Sequence, residues 1–117
     1  MKRPYRLRKN ADFQRVRRLG EAQSNRMLVL IALPNHLPRS RFGFAVSKRI
    51  GKAVRRNKIK RQIREAARLC QKDIQAGWDL LFIARAPIKE ATYRQIEQAV
   101  HDLLRKHNLF VKVENDR

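Results

Sequence analysis

The stretch from Ser47 to Cys70, S-K-R-I-G-K-A-V-R-R-N-K-I-K-R-Q-I-R-E-A-A-R-L-C, leaves the chain few ways to fold. At about 100° per residue, Ile59, Ile63, Ala66 and Cys70 fall on one side of a helix. Asn57, Lys60, Arg61, Arg64 and Arg68 fall on the other. One face must pack on a core while the other holds a row of cations and one amide. A solvated basic face is the ordinary explanation of such a helix. Two features point further. Arginine predominates, and its planar fork matches phosphate oxygens. No acidic residue occurs between Glu21 and Glu65, so these cations lack local partners.

The charge of the chain is as lopsided as the helix. Residues 1–64 carry 20 Lys and Arg against 2 acids, and residues 65–117 carry 9 against 8. Nearly all of the net +19 therefore lies in the first part. Such a field predicts a polyanionic partner, nucleic acid before an anionic membrane. The longest apolar run, Met27 to Leu33, is too short to span a bilayer, and no signal-peptide stretch follows Met1-Lys2-Arg3. A single cysteine excludes an internal disulfide and fits a reducing cytoplasm. A length of 117 residues suits one domain, 1–117, with residues 1–9 as a basic arm.

Along the chain, Asn10 is placed to cap a short helix with Asp12 in its first turn, and Gly20 to stop it. Phe13 and Val16 share one face of that helix. Arg26 to Leu33 reads as a strand buried on both faces. In Phe42 to Ser47 large residues alternate with Gly43, Ala45 and Ser47, which predicts a second strand antiparallel to the first, its small side open to close approach. Beyond the basic helix Gly77 breaks the chain, and Trp78 to Arg85 forms a third, nearly continuous apolar strand. Strand, helix and strand in that order suggest a parallel pair joined by a crossover. Thr92 to Gln95 reads as a capping box opening a last helix, buried along Ile96, Val100, Leu103, Leu104 and His107. His107 reads as a helix-end histidine rather than a ligand.

Catalytic machinery is harder to find. Metal-dependent phosphoryl transfer needs two or three converging carboxylates, and the acids here are dispersed. His36, His101 and His107 are not in ligand spacing, and Cys70 falls on the apolar stripe, which predicts a buried, inert thiol. Gly51-Lys52 lacks the rest of a phosphate-binding loop. The chain should cut nothing by itself.

Read as a string, Gly43 to Glu65 resembles the signature of the bacterial ribonuclease P protein subunit, in which a strand end precedes K-x-x-G-x-A-V-x-R-N-x-x-K-R-x-x-R-E. The resemblance extends back to Arg6-Leu7 and Asp12-Phe13 and forward to Ile83-Ala84-Arg85 and Thr92-Tyr93. It implies an α+β fold, a two-layer α/β sandwich with a small central mixed sheet of roughly three or four strands and about three helices. The family shares this fold with a domain of a small-subunit ribosomal protein, and its β-α-β crossover is left-handed where the general rule is right-handed. The resemblance also implies a function. The catalytic RNA subunit holds the Mg²⁺ ions and cleaves precursor tRNA, while the protein binds that RNA and the 5′ leader, with no obligate protein partner. Arg56, Asn57, Lys60, Arg61 and Arg64 are the signature residues facing the catalytic RNA, with Lys48, Lys52, Arg55 and Arg68 beside them. Phe13, Arg17, Ile31 and Arg85 fall where the family lines a cleft for the leader. Phe13 also fits plain core. The family often has aromatics where this chain has Arg17 and, within the first long strand, Leu28, Val29, Leu30 and Ile31, which shifts leader contacts from stacking toward charge.

Two other classes compete. A generic ribosomal-RNA- or DNA-binding protein, such as a small ribosomal protein, could use the same helix against any nucleic-acid backbone. A helix-turn-helix reader would need a short helix just before the basic one, where the Phe42–Ser47 strand lies.

Overall fold

A computed structural model describes residues 1–111; the last six residues of the 1–117 domain expected from the sequence lie outside the described residues. The principal helices are α1 (Asn10–Leu19), α2 (Ala53–Cys70) and α3 (Tyr93–Lys106). The strands are β1 (Glu21–Ser24), β2 (Leu28–Pro34), β3 (Arg41–Ala45) and β4 (Trp78–Ala84). They form one mixed sheet in the order β1-β2-β4-β3. β4 runs antiparallel to β2 and parallel to β3, with α2 as the crossover from β3. The second and third strands in sequence therefore do point in opposite directions, but they are not neighbours. β4 inserts between them, where both its edges are paired and five of its seven residues are buried.

The sheet and the α2/α3 pair form the two main layers. Leu28, Leu30, Phe42, Phe44, Leu80 and Phe82 face Ile59, Ile63, Ala66, Ala67, Ile96, Val100, Leu103 and Leu104 in one buried cluster. Phe44 and Phe82 stack across β3 and β4 with centroids 6.0 Å apart. The short α1 lies on the other face, where Val16 packs with Leu7, Ile31 and Leu81.

Local signals explain most element ends. Thr92 Oγ1 accepts from the Gln95 N–H at 3.2 Å, and Gln95 Oε1 accepts from the Thr92 N–H at 2.9 Å, the capping box expected. His107 caps the end of α3 and donates from Nε2 to the Leu30 carbonyl at 2.8 Å, which ties helix to sheet. Gly20 ends α1, but close approach is what requires it. A Cβ there would meet Ile31 Cγ2 at 2.5 Å and the Val16 carbonyl at 2.6 Å. Asn10 is already helical: the N-cap is Lys9, which makes no side-chain cap. Asp12 turns instead toward Arg15 and Arg41.

One element carries no sequence signal. β1 is a four-residue polar, fully exposed strand without alternation, formed because β2 offers an unpaired edge. The basic arm is docked rather than trailing. Leu7 is buried, its N–H donates to the Phe42 carbonyl at 2.8 Å, and Arg6 bridges Phe42 along the outer edge of β3.

Candidate nucleic-acid interface

α2 presents the two faces its sequence implies. Ile59, Ile63, Ala66, Ala67 and Cys70 are buried, and Asn57 and Arg61 form an exposed crest flanked by half-buried Lys60 and Arg64. Among the described residues, Lys48, Lys52, Lys60, Arg61 and Arg64 have no ion-pair partner. Their charge is open to a ligand. Arg55 and Arg56 are held by backbone carbonyls: Arg55 Nη2 donates to Lys89 O at 2.7 Å and Arg56 Nε to Gly51 O at 3.0 Å. Each keeps further N–H donors for an anion, from an orientation already fixed. Arg68 departs from the expectation of unpartnered cations. It grips Glu65 through two hydrogen bonds of 2.9 and 2.7 Å, and these hold the Glu65 carboxyl below its ordinary range. One turn of helix separates the two, so this acid is partner enough, and Arg68 has the least charge left to offer.

On the α1 side the alternation of the strands lays out successive rows. Leu33, Asp79 and Arg41 form one row, Ile31, Leu81 and Gly43 the next, and Val29, Ile83 and Ala45 the third. Arg85 continues the alternation of β4 one step further. α1 covers the middle row. Ile31 is only 8 % exposed there, so this expected cleft residue is floor beneath the helix rather than open wall. The third row stays half exposed and is the open floor, formed by residues outside the expected cleft set of Phe13, Arg17, Ile31 and Arg85. Nothing in their one-dimensional pattern distinguishes Val29, Ala45 and Ile83 from core.

Phe13 projects from α1 onto Gly43, where an added Cβ would meet its ring at 2.9 Å and Leu7 Cδ1 at 3.1 Å. The small side of β3 is thus occupied by Phe13 and Leu7. Phe13 remains half-buried and bounds a depression of about 300 Å³ with Arg6, Arg8, Phe44 and Lys60. It is both core and wall. Arg17 follows it by one helical turn and is exposed. Arg85 Nη1 donates to the Asn25 carbonyl at 2.7 Å, which fixes a cation at the far end of the open floor.

α1 is held over the sheet by a charge network at the opposite end. Asp79, wholly buried, accepts from Arg15 Nη2 at 2.9 Å, Asn35 Nδ2 at 2.9 Å, and Arg41 Nε and Nη2 at 2.9 and 2.8 Å. Burial alone would raise its pKa. The bonds from Arg41 and Asn35, the Arg41 charge and the Arg15 bond outweigh burial and hold it below the ordinary carboxylate range. Asp12 adds contacts of 3.3 Å to Arg15 and 3.7 Å to Arg41. Asp79 is a lone acid within an apolar strand, which read as dispersed because its partners come from other elements.

The remaining reactive groups are quiet. Cys70 is 7 % exposed, its Sγ–H lies 3.5 Å from the Ala66 carbonyl, and burial pushes its thiol up to about 11. Among the described residues no three His, Cys, Asp or Glu side chains are placed to hold a metal ion, and no helix is long and apolar enough to cross a membrane.

Such an assembly, fixed and free cations on a crossover helix beside a half-apolar cleft, defines a basic α+β nucleic-acid-binding domain. The Ribonuclease P family model matches residues 1–108. A ribonuclease P protein component from Roseiflexus castenholzii is 49 % identical over 107 residues, covering 91 % of this chain and 88 % of that protein. The RNase P protein of Staphylococcus aureus superposes with a TM-score of 0.85 at 40 % identity, covering 92 % of this chain and 98 % of that one. That of Thermotoga maritima gives 0.80 at 29 % identity, covering 94 % and 98 %. The chain belongs to the ribonuclease P protein family. It is the protein subunit of an enzyme that matures tRNA 5′ ends and whose other component is RNA; the ribosomal alternative is not favoured.

Proposed function

We propose that the crest of α2 binds the catalytic RNA and that the cleft on the α1 side receives the single-stranded 5′ leader of precursor tRNA. The observation that carries this reading is the separation of two surfaces on one helix. Asn57, Arg61 and Arg64 face outward with no competing carboxylate, while Lys60 turns to the depression bounded by Phe13. Arginines there neutralise crowded phosphates of a folded RNA, and the Asn57 amide supplies both a donor and an acceptor. Lys48, Lys52, Arg55 and Arg56 extend this surface toward the start of the helix. In the cleft, a base rests on Phe13 or on the apolar floor of Val29, Ala45 and Ile83, with Arg17, Lys60 and Arg85 near its backbone.

Cleavage belongs to the RNA, with Mg²⁺ held mainly there. Fixed cations lower the Mg²⁺ requirement by replacing part of the divalent screening. The subunit works as one domain in the cytoplasm with no obligate protein partner. The test compares precursor tRNAs with long leaders and with leaders cut to one nucleotide, using the reconstituted holoenzyme. Phe13→Ala should lower affinity for the long-leader substrate while affinity for the catalytic RNA stays unchanged. Equal benefit from the protein on both substrates would refute the cleft assignment.

A further inference from the structure

On the flank of α2 turned away from Phe13, a second groove of about 620 Å³ separates the helix from the 3-10 turn Ala86–Glu90. That volume is within the range of ligand sites, about 300–1,000 Å³. Ile59, Ile88 and Ala91 line it together with Val54, which stands 83 % exposed at its lip. Lys52, Arg55, Lys58 and Lys89 surround it, and no carboxylate lines it. Arg55 is not a loose cation, because its Nη2 donates to the Lys89 carbonyl across the groove at 2.7 Å. Gln62 adds an amide that can both donate and accept. At the same end, the α2 N-terminus begins at Lys52 without a side-chain cap, leaving first-turn N–H groups for an anion.

We infer that this groove takes an unpaired nucleotide of the RNA subunit, its base against Val54 and the Arg55 plane and its phosphates on the lysines. The inference rests on the reading of α2 as the RNA-facing helix and extends it to a third side. A base-paired A-form backbone offers only phosphate and sugar to an exposed valine, whereas an unstacked base covers it and can be read by an amide. An acidic peptide would satisfy the lysines, but the groove is continuous with the basic crest and shares its helix. The helix is thus gripped on its crest and on two flanks, with the leader on one flank and the catalytic RNA on the other two surfaces.

A photo-crosslinker attached to Val54→Cys tests this in the complex with the RNA subunit, since native Cys70 is buried with a thiol pKa of about 11 and stays unlabelled. The expected product joins the protein to an unpaired nucleotide of that RNA without precursor tRNA present. Val54→Glu should weaken affinity for the RNA subunit roughly five- to hundredfold. Cross-links confined to base-paired nucleotides, or no cross-link to the RNA subunit, would overturn the inference, as would Val54→Glu affinity within about twofold of wild type. Arg61→Ala, measured alongside, separates the two possible failures. If it weakens binding and Val54→Glu does not, the groove assignment falls and the crest stands. If neither does, α2 is not the RNA-facing helix.

Discussion

Replacing Asp79 by asparagine keeps the shape of the side chain and removes the charge on which α1, β3 and β4 converge. Four donor contacts, three of them from guanidinium groups, end on this one wholly buried carboxylate. Summing about 1.5–3 kcal/mol for each charge-assisted bond would overstate the loss. Arg15 and Arg41 retain 41 % and 20 % side-chain exposure, so part of their hydration is recoverable. Asparagine also keeps one acceptor, although its NH₂ must face other donors. Breaking a buried pair by removing one partner costs about 3–5 kcal/mol, and the partial exposure puts Asp79→Asn at the lower end, ~3 kcal/mol. That is a large part of a total of about 5–15 kcal/mol. The pH dependence has a definite sign. The Asp79 pKa is lowered in the fold from an unfolded value near about 3.9, so its contribution is complete above that value. It is lost as pH falls through the folded pKa. Urea unfolding followed by circular dichroism should show the variant ~3 kcal/mol weaker from pH 5 to 8, with the gap closing below pH ~4. A gap under about 1 kcal/mol at pH 7, or one that persists unchanged in acid, would refute the assignment of this network as the anchor of α1.

Arg64→Ala should weaken binding of the catalytic RNA by roughly 1–3 kcal/mol while thermal unfolding moves by less than ~0.5 kcal/mol, whereas Ile63→Asp, at a wholly buried position, should unfold the domain. Melting of the Arg64 variant would mean that the faces are exchanged. If six to ten phosphates are neutralised, raising salt from 50 to 200 mM should lower affinity about 10³- to 10⁵-fold in a filter-binding titration. A flat response would place the contact away from the basic surface. Cys70 should react with iodoacetamide at pH 8 only after the protein is unfolded, because burial both hides the thiol and raises its pKa to about 11. Prompt modification in the folded state would show that the α2 stripe opens.

Local features were legible in the sequence because their causes are local. The two faces of α2 follow from helical spacing, the start of α3 from a capping box closed within four residues, and β2, β3 and β4 from alternation and apolar runs. The burial of Cys70 and the uneven charge follow as directly. Where a partner is distant in sequence, only the tertiary structure decides. The insertion of β4 between β2 and β3 depends on pairings among strands far apart in sequence, which no single strand records. Arg68 meets Glu65 in a pair legible from its spacing, but Asp79 gathers Arg15, Asn35 and Arg41 across as many as 64 residues. The cleft shows the same limit. Ile31 and Val29 are neighbouring apolar positions on one face of β2, and only the place where α1 ends makes one of them floor and the other surface. Sequence spacing set which side chains share a face, and the packing of that short helix decided which of them a ligand can reach.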